Sequence, residues 1–269
     1  MMKGKLFLLS IGAMFLAACD YIAPSEQLIE VDDIVVPPAP TVVMRKALLE
    51  DFTGQKCSNC PTAIEVIEEL QKAYGDRLIA VGIHSGPLGF KGTATRVGLA
   101  TDLGDTYFNR WNLDFQPVGL INRGSAINYP EWMGKVREVL NQEAGTSLEL
   151  SAQLSADELV ITAKATRLAA DAYAGKLQLW VVEDSIVALQ KMPDNEPQLD
   201  FVHNHVLRTA VNGTWGEEVA LAASEERTWN YTCPVDAAWN RQHLSIVAFL
   251  YNEAGVEQVE KASILFTIN

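Results

Sequence analysis

Apolar positions in the first part of the chain predict a strand, a helix and a second strand. A mostly apolar run at residues 47–52 predicts a buried strand. From Pro61 onward apolar side chains recur at spacings of three and four, which predicts an amphipathic helix that ends at Gly75. A second apolar run at residues 78–83 predicts a strand that is buried on both faces. This part of the chain is therefore predicted to be α/β.

The hydrophobic period changes to two after residue 145. Apolar side chains alternate along several short runs, and polar turn sequences such as Asn212-Gly213 separate the runs. The alternating positions are Leu148, Leu150, Leu154, Leu159, Ile161, Ala163, Leu177, Leu179, Val181, Ile246, Ala248, Leu250, Ile264, Phe266 and Ile268. Short strands joined by polar turns favour an antiparallel sandwich of the immunoglobulin-like type.

The N-terminus has the pattern of an export signal. Lys3 and Lys5 precede an apolar run at residues 6–18, and this run is shorter than the about 20 residues that span a membrane. The lipobox at residues 16–19 resembles that of bacterial lipoproteins, which implies that Cys19 becomes the acylated first residue. The alternative is an ordinary cleaved signal with an incidental cysteine. Residues 21–40 are rich in proline and predict a semi-rigid tether.

Charge and cysteine content narrow the possible partners. The chain has 34 acidic and 21 basic residues and a formal net charge of −13, which disfavours nucleic acid and anionic lipid surfaces as partners. Of the 4 cysteines, Cys19 is assigned to lipid and two others form a close pair. Cys233 is left alone and is predicted to be a buried apolar residue, with a role as a redox partner as the alternative.

The pair Cys57 and Cys60 is the main candidate for chemistry. Cysteines at this C-x-x-C spacing can cycle between dithiol and disulfide, but zinc sites and structural disulfides use the same spacing. The predicted strand and helix on either side place Cys57 at a helix N-terminus, where backbone N–H groups favour a thiolate. Lys56 adds a positive charge beside it. This context favours a redox pair.

Two further stretches carry a resemblance to a known family. Asp51 lies six residues before Cys57, and Gln116-Pro117 precedes a short apolar run. With the C-x-x-C pair, these residues resemble the thioredoxin superfamily. The resemblance implies that Asp51 handles the proton of the second cysteine and that Pro117 is cis and faces the pair. It also implies that Phe115 and Gln116 line a groove in which the substrate backbone pairs.

Three histidines are candidates for a site. His203 and His205 would share one face of a single strand, which invites a metal hypothesis. No third ligand is visible nearby, and structural zinc usually takes four. We therefore interpret them as strand histidines near a domain junction and predict no metal and no other cofactor. His84 follows the second predicted strand, and we interpret it as a loop histidine, with a catalytic role as the alternative.

A closer resemblance appears when both parts of the chain are considered. Residues 48–61, 203–208 and 212–216 resemble the twenty-eight-kilodalton outer-membrane lipoprotein family of Gram-negative bacteria. This resemblance implies an outer-membrane, lipid-anchored protein with an α/β thioredoxin-like domain followed by an all-β immunoglobulin-like sandwich. The assigned boundaries are 1–18 for the signal peptide, 19–40 for the lipidated N-terminus and tether, 41–145 for the thioredoxin-like domain and 146–269 for the sandwich.

Two classes of function stay open. In the first, Cys57 attacks a substrate disulfide, Cys60 resolves the mixed disulfide, Asp51 handles the proton and Pro117 shapes the groove. In the second, the disulfide is structural and the sandwich is a non-enzymatic binding or adhesion module. The expected partners are envelope or surface proteins, as disulfide substrates or as binding partners, and the membrane through the lipid anchor.

Overall fold

A computed structural model describes residues 42–266, which are mixed α/β with a large share of β-sheet and few helices. The predicted signal, tether and lipidation at Cys19 lie outside these residues. The strands are β1 (Ala47–Thr53), β2 (Leu78–His84), β3 (Val118–Ile121), β4 (Ala126–Ile127), β5 (Thr146–Ser155), β6 (Glu158–Arg167), β7 (Tyr173–Glu183), β8 (Ile186–Lys191), β9 (Pro197–His203), β10 (Val206–Ala210), β11 (Glu217–Leu221), β12 (Glu226–Pro234), β13 (Leu244–Asn252) and β14 (Gly255–Phe266). The α-helices are α1 (Cys60–Tyr74), α2 (Asp102–Arg110) and α3 (Trp132–Leu140), and short 3₁₀ helices cover Gly75–Arg77, Tyr129–Glu131 and Arg241–His243.

The predicted strand, helix and strand are confirmed as β1, α1 and β2. The two strands pair in parallel, and every residue of both is buried. Ala63, Ile67 and Leu70 of α1 pack on one face of this sheet together with α3. Burial of each large side chain contributes roughly 1.5–3 kcal/mol. Gly75 ends α1 with a positive φ of 57°, a conformation that costs glycine little.

Strands of the second part pack in two layers around their own core. The predicted alternation is confirmed, because Leu159 and Ile161 of β6 face Leu179 of β7 and Ile246 of β13 in one buried cluster. Strand β14 pairs antiparallel with β13 along most of its length and parallel with β5 at its end. This strand therefore joins the two layers.

One hydrogen-bonded sheet links the strands of both parts. Its order is β12-β6-β5-β14-β13-β7-β10-β2-β1-β3-β4, and β11 pairs with β7. The link is β10, which pairs antiparallel with β7 and meets β2 through the parallel pair Val206 and Gly82. Helix α2 packs on the face of β1 and β2 opposite α1, against Trp180 and Phe249 of β7 and β13.

The prediction that His203 and His205 lie on one strand is wrong. His203 ends β9, whereas β10 begins only at Val206. His205 takes a positive φ of 46° between the two strands, and its backbone N–H donates to the side chain of Asp184. The turn at His205 therefore leads the chain from β9 into β10, while β9 itself pairs antiparallel with β8 in a two-stranded hairpin outside the main sheet.

Within residues 42–266, no helix has the length and the apolar character needed to cross a membrane.

Candidate functional site

Cys57 and Cys60 form a disulfide, with their Cα atoms 5.4 Å apart. The prediction that Cys57 lies at the helix N-terminus needs correction, because α1 begins at Cys60 with Asn59 as its N-cap. Cys57 belongs to the preceding turn, where its N–H donates to the Gly54 carbonyl over 3.0 Å. The Cys57 sulfur still lies beside the N-terminus of α1, because it is bonded to the sulfur of Cys60, the first residue of the helix. The Lys56 ammonium lies over the Phe90 ring, 5.5 Å from its centroid.

Asp51 lies on the face of β1 that α1 covers. Residues alternate across a strand, so Asp51 shares its face with Leu49, which packs against Ala63 and Ile67 of α1. Burial raises the pKa of Asp51 to about 7. Within the described part of the chain its Oδ1 has no hydrogen-bond partner. A carboxyl group with this pKa can exchange a proton near neutral pH.

Pro117 and Gln116 connect the segments around the cysteines. The Gln116–Pro117 peptide bond is cis, as predicted from the sequence. The buried Gln116 side chain donates to the carbonyl oxygens of Thr53 and Ser85 over 2.6 and 3.0 Å. Its Oε1 accepts from the Leu88 N–H over 3.2 Å. Gln116 thus holds together the ends of β1 and β2, whereas Phe115 is 43% exposed.

The β8–β9 hairpin covers the turn that contains Cys57. The sequence pattern does not predict this contact. Cys57 is only 2% exposed and Cys60 is fully buried. The Gln190 side-chain amide donates to the carbonyl oxygens of Cys57 and Gly54 over 2.8 and 3.3 Å. Gln190 directly follows the apolar run 186–189, but this local pattern does not indicate which remote backbone groups its amide contacts.

Gln55 attaches the same turn to the hairpin and to a loop. Its side-chain Nε2 donates to the Leu189 carbonyl over 2.9 Å, and its backbone carbonyl accepts from the Lys191 N–H over 2.8 Å. Its Oε1 accepts from the Leu99 N–H over 2.8 Å. A Cβ at Gly54 would lie only 2.3 Å from the Leu88 carbonyl, so this close approach requires glycine. The cysteine turn is therefore enclosed by two segments.

The candidate histidines form a buried cluster at the end of β2. The rings of His84 and His203 lie edge to face, 5.2 Å apart, and His205 is also buried. Burial lowers the pKa of His203 and His205 to about 4 and that of His84 well below its usual value. All three are therefore neutral at pH 7. No group of three metal-ligating side chains occurs in the portion of the chain that the structure describes.

Cys233 lies on β12 and belongs to the apolar core of the second part, which confirms the predicted buried position. Burial raises the pKa of its thiol. It is therefore a poor nucleophile.

Solved structures show where this fold occurs. HBP35 of Porphyromonas gingivalis has a TM-score of 0.66 and 15% identity, with 82% of this chain and 76% of that chain covered. A protein from Agrobacterium tumefaciens has a TM-score of 0.50 and 16% identity, with 83% and 95% covered. A domain of the outer membrane lipoprotein Omp28 from Porphyromonas gingivalis has 25% identity and a TM-score of 0.35, with 46% and 92% covered. At these identities the first two similarities show the fold alone.

Comparison with curated proteins finds no match to the sequence. Comparison with protein families does find one: the family described as outer membrane protein Omp28 matches residues 104–266, more than half of the chain. The chain therefore belongs to the Omp28 family of outer membrane proteins, which confirms the family and the outer-membrane location predicted from its sequence.

Proposed function

We propose that this outer membrane protein carries out thiol–disulfide exchange at Cys57 and Cys60. In this proposal residues 41–145 act as a thioredoxin-like domain, residues 146–269 as an immunoglobulin-like sandwich, and Cys19 as the lipid anchor. The substrates are proteins of the envelope or cell surface. The observation that carries the proposal is the Cys57–Cys60 disulfide at the start of α1, with the buried carboxyl of Asp51 on the face that α1 covers.

The exchange proceeds in two steps, formation of a mixed disulfide and its resolution. In the reduced protein the Cys57 thiolate attacks one sulfur of a substrate disulfide, a mixed disulfide forms, and the other substrate sulfur leaves as a thiolate. The Cys60 thiolate then attacks the Cys57 sulfur, which forms the Cys57–Cys60 disulfide and releases the second substrate thiolate. Two electrons pass from the cysteine pair to the substrate. The reverse sequence oxidises a substrate dithiol.

Asp51 supplies the proton transfer for the second step. Cys60 must lose its thiol proton before it can attack, and it is the fully buried cysteine of the pair. A carboxylate with a pKa of about 7 is a stronger base than an ordinary aspartate, because burial disfavours its charged form. Asp51 therefore accepts the Cys60 proton and returns it in the reverse reaction.

Exchange at buried sulfurs requires movement of the covering hairpin. A thiolate must reach the sulfur that it attacks, and neither cysteine sulfur is open to a large substrate. Within residues 42–266 the hairpin has only two strands and pairs with no strand of the main sheet. Small units of this kind open locally at a lower free energy than the core. Opening of β8–β9 is therefore the step that admits the substrate.

Trapping of the mixed disulfide tests the proposal. Reduced Cys60→Ser protein, mixed with oxidised glutathione, should hold glutathione on Cys57, because the Cys60 thiol that resolves the mixed disulfide has been removed. Cys233→Ser is the matched control and should behave like the unmodified protein. Glutathione held by Cys57→Ser rather than by Cys60→Ser would reverse the two roles. No adduct on either variant would contradict exchange and would favour a structural disulfide.

A further inference from the structure

A cavity of about 670 Å³ lies where the first and second parts of the chain meet. Its walls come from the end of α2, the β3–β4 turn, the start of β7, the segment 213–216 and the β13–β14 turn. Its volume lies in the range of about 300–1,000 Å³ that is typical of small-molecule pockets. Neither Cys57 nor Cys60 lines it. The cavity is therefore separate from the disulfide.

Aromatic side chains form much of the wall, and part-buried hydrogen bonds fix Tyr251 and the backbone of the segment 213–216. Trp111, Trp215 and Tyr251 line the cavity. The Tyr251 hydroxyl donates to the Trp215 carbonyl over 2.6 Å. The Tyr107 hydroxyl donates to the neighbouring Thr214 carbonyl, also over 2.6 Å. The wall is thus ordered before any ligand arrives, which lowers the entropy lost on binding.

Arg123 places a poorly compensated positive charge in this wall. Its side chain is only 3% exposed, and its guanidinium lies over the rings of Tyr251 and Phe249 at 4.0 and 4.7 Å. Its Nε donates to Glu50 over a long 3.4 Å. Among the described residues its Nη2 has no hydrogen-bond partner, and neither does Glu50 Oε2. Burial raises the pKa of Glu50, and the charge of Arg123 opposes this shift.

Apart from Arg123, the charged side chains that line the cavity are two basic and two acidic, so Arg123 gives the lining a formal net charge of +1. Arg110 and Lys176 join Arg123 in the lining, against the acidic Glu218 and Glu253, in a chain whose formal net charge is −13. Lys176 pairs with Glu218 over 3.1 Å, and Arg110 lies 5.5 Å from the centroid of the Trp111 ring. Over residues 42–266 the buried indole N–H of Trp111 has no acceptor. The cavity thus combines the charge of Arg123 with aromatic surface, and two unpartnered N–H donors lie buried in its wall among the described residues.

We propose that this cavity binds a small organic carboxylate carried on a ring. The carboxylate is recognised by Arg123, because a planar guanidinium matches a carboxylate in charge and shape, and the Nη2 of Arg123 has no other acceptor among the described residues. The ring lies against the aromatic wall of Trp111, Trp215 and Tyr251. Acidic sugars and aromatic acids share this chemistry. This inference does not depend on the proposed disulfide exchange.

Titrations followed by NMR of the indole N–H groups test the site directly. The probes are sodium glucuronate and sodium benzoate, with glucose, benzyl alcohol and inorganic phosphate as matched controls. A carboxylate probe should shift the signals of Trp111 and Trp215 and leave those of Trp229 and Trp239 in place. The probe that binds more tightly shows whether the ligand is an acidic sugar or an aromatic acid. Equal shifts from glucose or benzyl alcohol would overturn the anion preference. Equal shifts from phosphate would overturn the need for a ring, and no shift with either carboxylate would overturn the site.

Surface variants avoid any disturbance of the buried Arg123. Arg110→Gln and Lys176→Gln should each weaken carboxylate binding by up to roughly fivefold, as expected for partly exposed charges. The matched control is Arg227→Gln, since Arg227 lies over Trp229 at 5.3 Å, away from the cavity. The control should bind like the unmodified protein. Unchanged affinity in both Arg110→Gln and Lys176→Gln would overturn the proposal.

Discussion

The side-chain amide of Gln190 donates a 2.8 Å hydrogen bond to the backbone carbonyl of Cys57, a residue 133 positions earlier in the chain. The same amide also donates to Gly54. Both carbonyls belong to the turn that presents the disulfide. Gln190 therefore attaches the covering hairpin to the reactive turn, and the closed state of the site depends on this side chain.

Replacement of Gln190 by alanine should expose the disulfide. Each hydrogen bond contributes about 0.5–1.5 kcal/mol, so the loss of both should make hairpin opening and reduction by dithiothreitol about tenfold faster. The rate of thiol release measures this effect. Gln198→Ala is the control, because Gln198 pairs with Gln190 across the same hairpin but is exposed. Equal rates in Gln190→Ala and Gln198→Ala would show that the hairpin does not limit access.

Asp51→Asn should change how stability depends on pH. The folded-state pKa of Asp51 is raised to about 7 by burial, so the folded protein holds a proton that the unfolded chain loses near its ordinary pKa of about 3.9. The stability contributed by this proton is fully present below pH 4 and is lost as the pH rises to about 7. The whole effect is about 4 kcal/mol.

Urea unfolding between pH 4 and pH 8 measures this difference. The Asp51→Asn variant should lose less stability than the unmodified protein as the pH rises, because its amide cannot ionise. Asp114→Asn, at an exposed position, should follow the unmodified protein. Parallel curves for Asp51→Asn and the unmodified protein would mean that Asp51 is ionised normally in the folded state.

Alkylation of the reduced protein should label Cys57 before Cys60. Cys57 lies in the turn ahead of α1, whereas Cys60 is inside the first helical turn and fully buried. Iodoacetamide labelling followed by mass spectrometry of the peptides gives the order at each pH. Labelling of Cys60 first would assign the nucleophile to the second cysteine.

Cys19→Ala should release the protein from the membrane fraction. The lipobox at residues 16–19 predicts that this cysteine carries the lipid, and acyl chains anchor a protein through burial of their CH₂ groups. Fractionation of cells in the absence of detergent measures the change. Cys233→Ala should stay with the membrane. Membrane retention of Cys19→Ala would mean that another part of the chain holds the protein there.

Local periodicity accounts for the parts of the fold that the sequence predicts. The change from spacings of three and four in α1 to alternation in β6 reports directly which side chains are buried. Pairing of distant strands has no such local signal. The contact between Val206 and Gly82, which links the two parts in one sheet, joins residues 124 positions apart and leaves no periodic mark.

The candidate site was predictable in its cysteines but not in its surroundings. Cys57, Cys60 and Asp51 are recognisable because their spacing repeats a known pattern. The buried glutamines around them are not recognisable from the sequence. Their side chains form hydrogen bonds to backbone groups of remote segments, as seen for Gln55, Gln116 and Gln190. The positive φ after β9 falls on His205 and not on its neighbour Asn204, so the conformation of this turn does not follow from the residue types alone.

The equilibrium between the Cys57–Cys60 pair and glutathione buffers tests the central claim most directly. Exchange enzymes with this spacing have reduction potentials between about −270 and −120 mV, whereas structural disulfides in exported proteins usually lie below about −300 mV. Quantification of free thiols after equilibration gives the potential of this pair, with Cys57→Ser as the blank. We predict a value inside the range of the exchange enzymes. A pair that stays oxidised at potentials below about −300 mV would contradict the account.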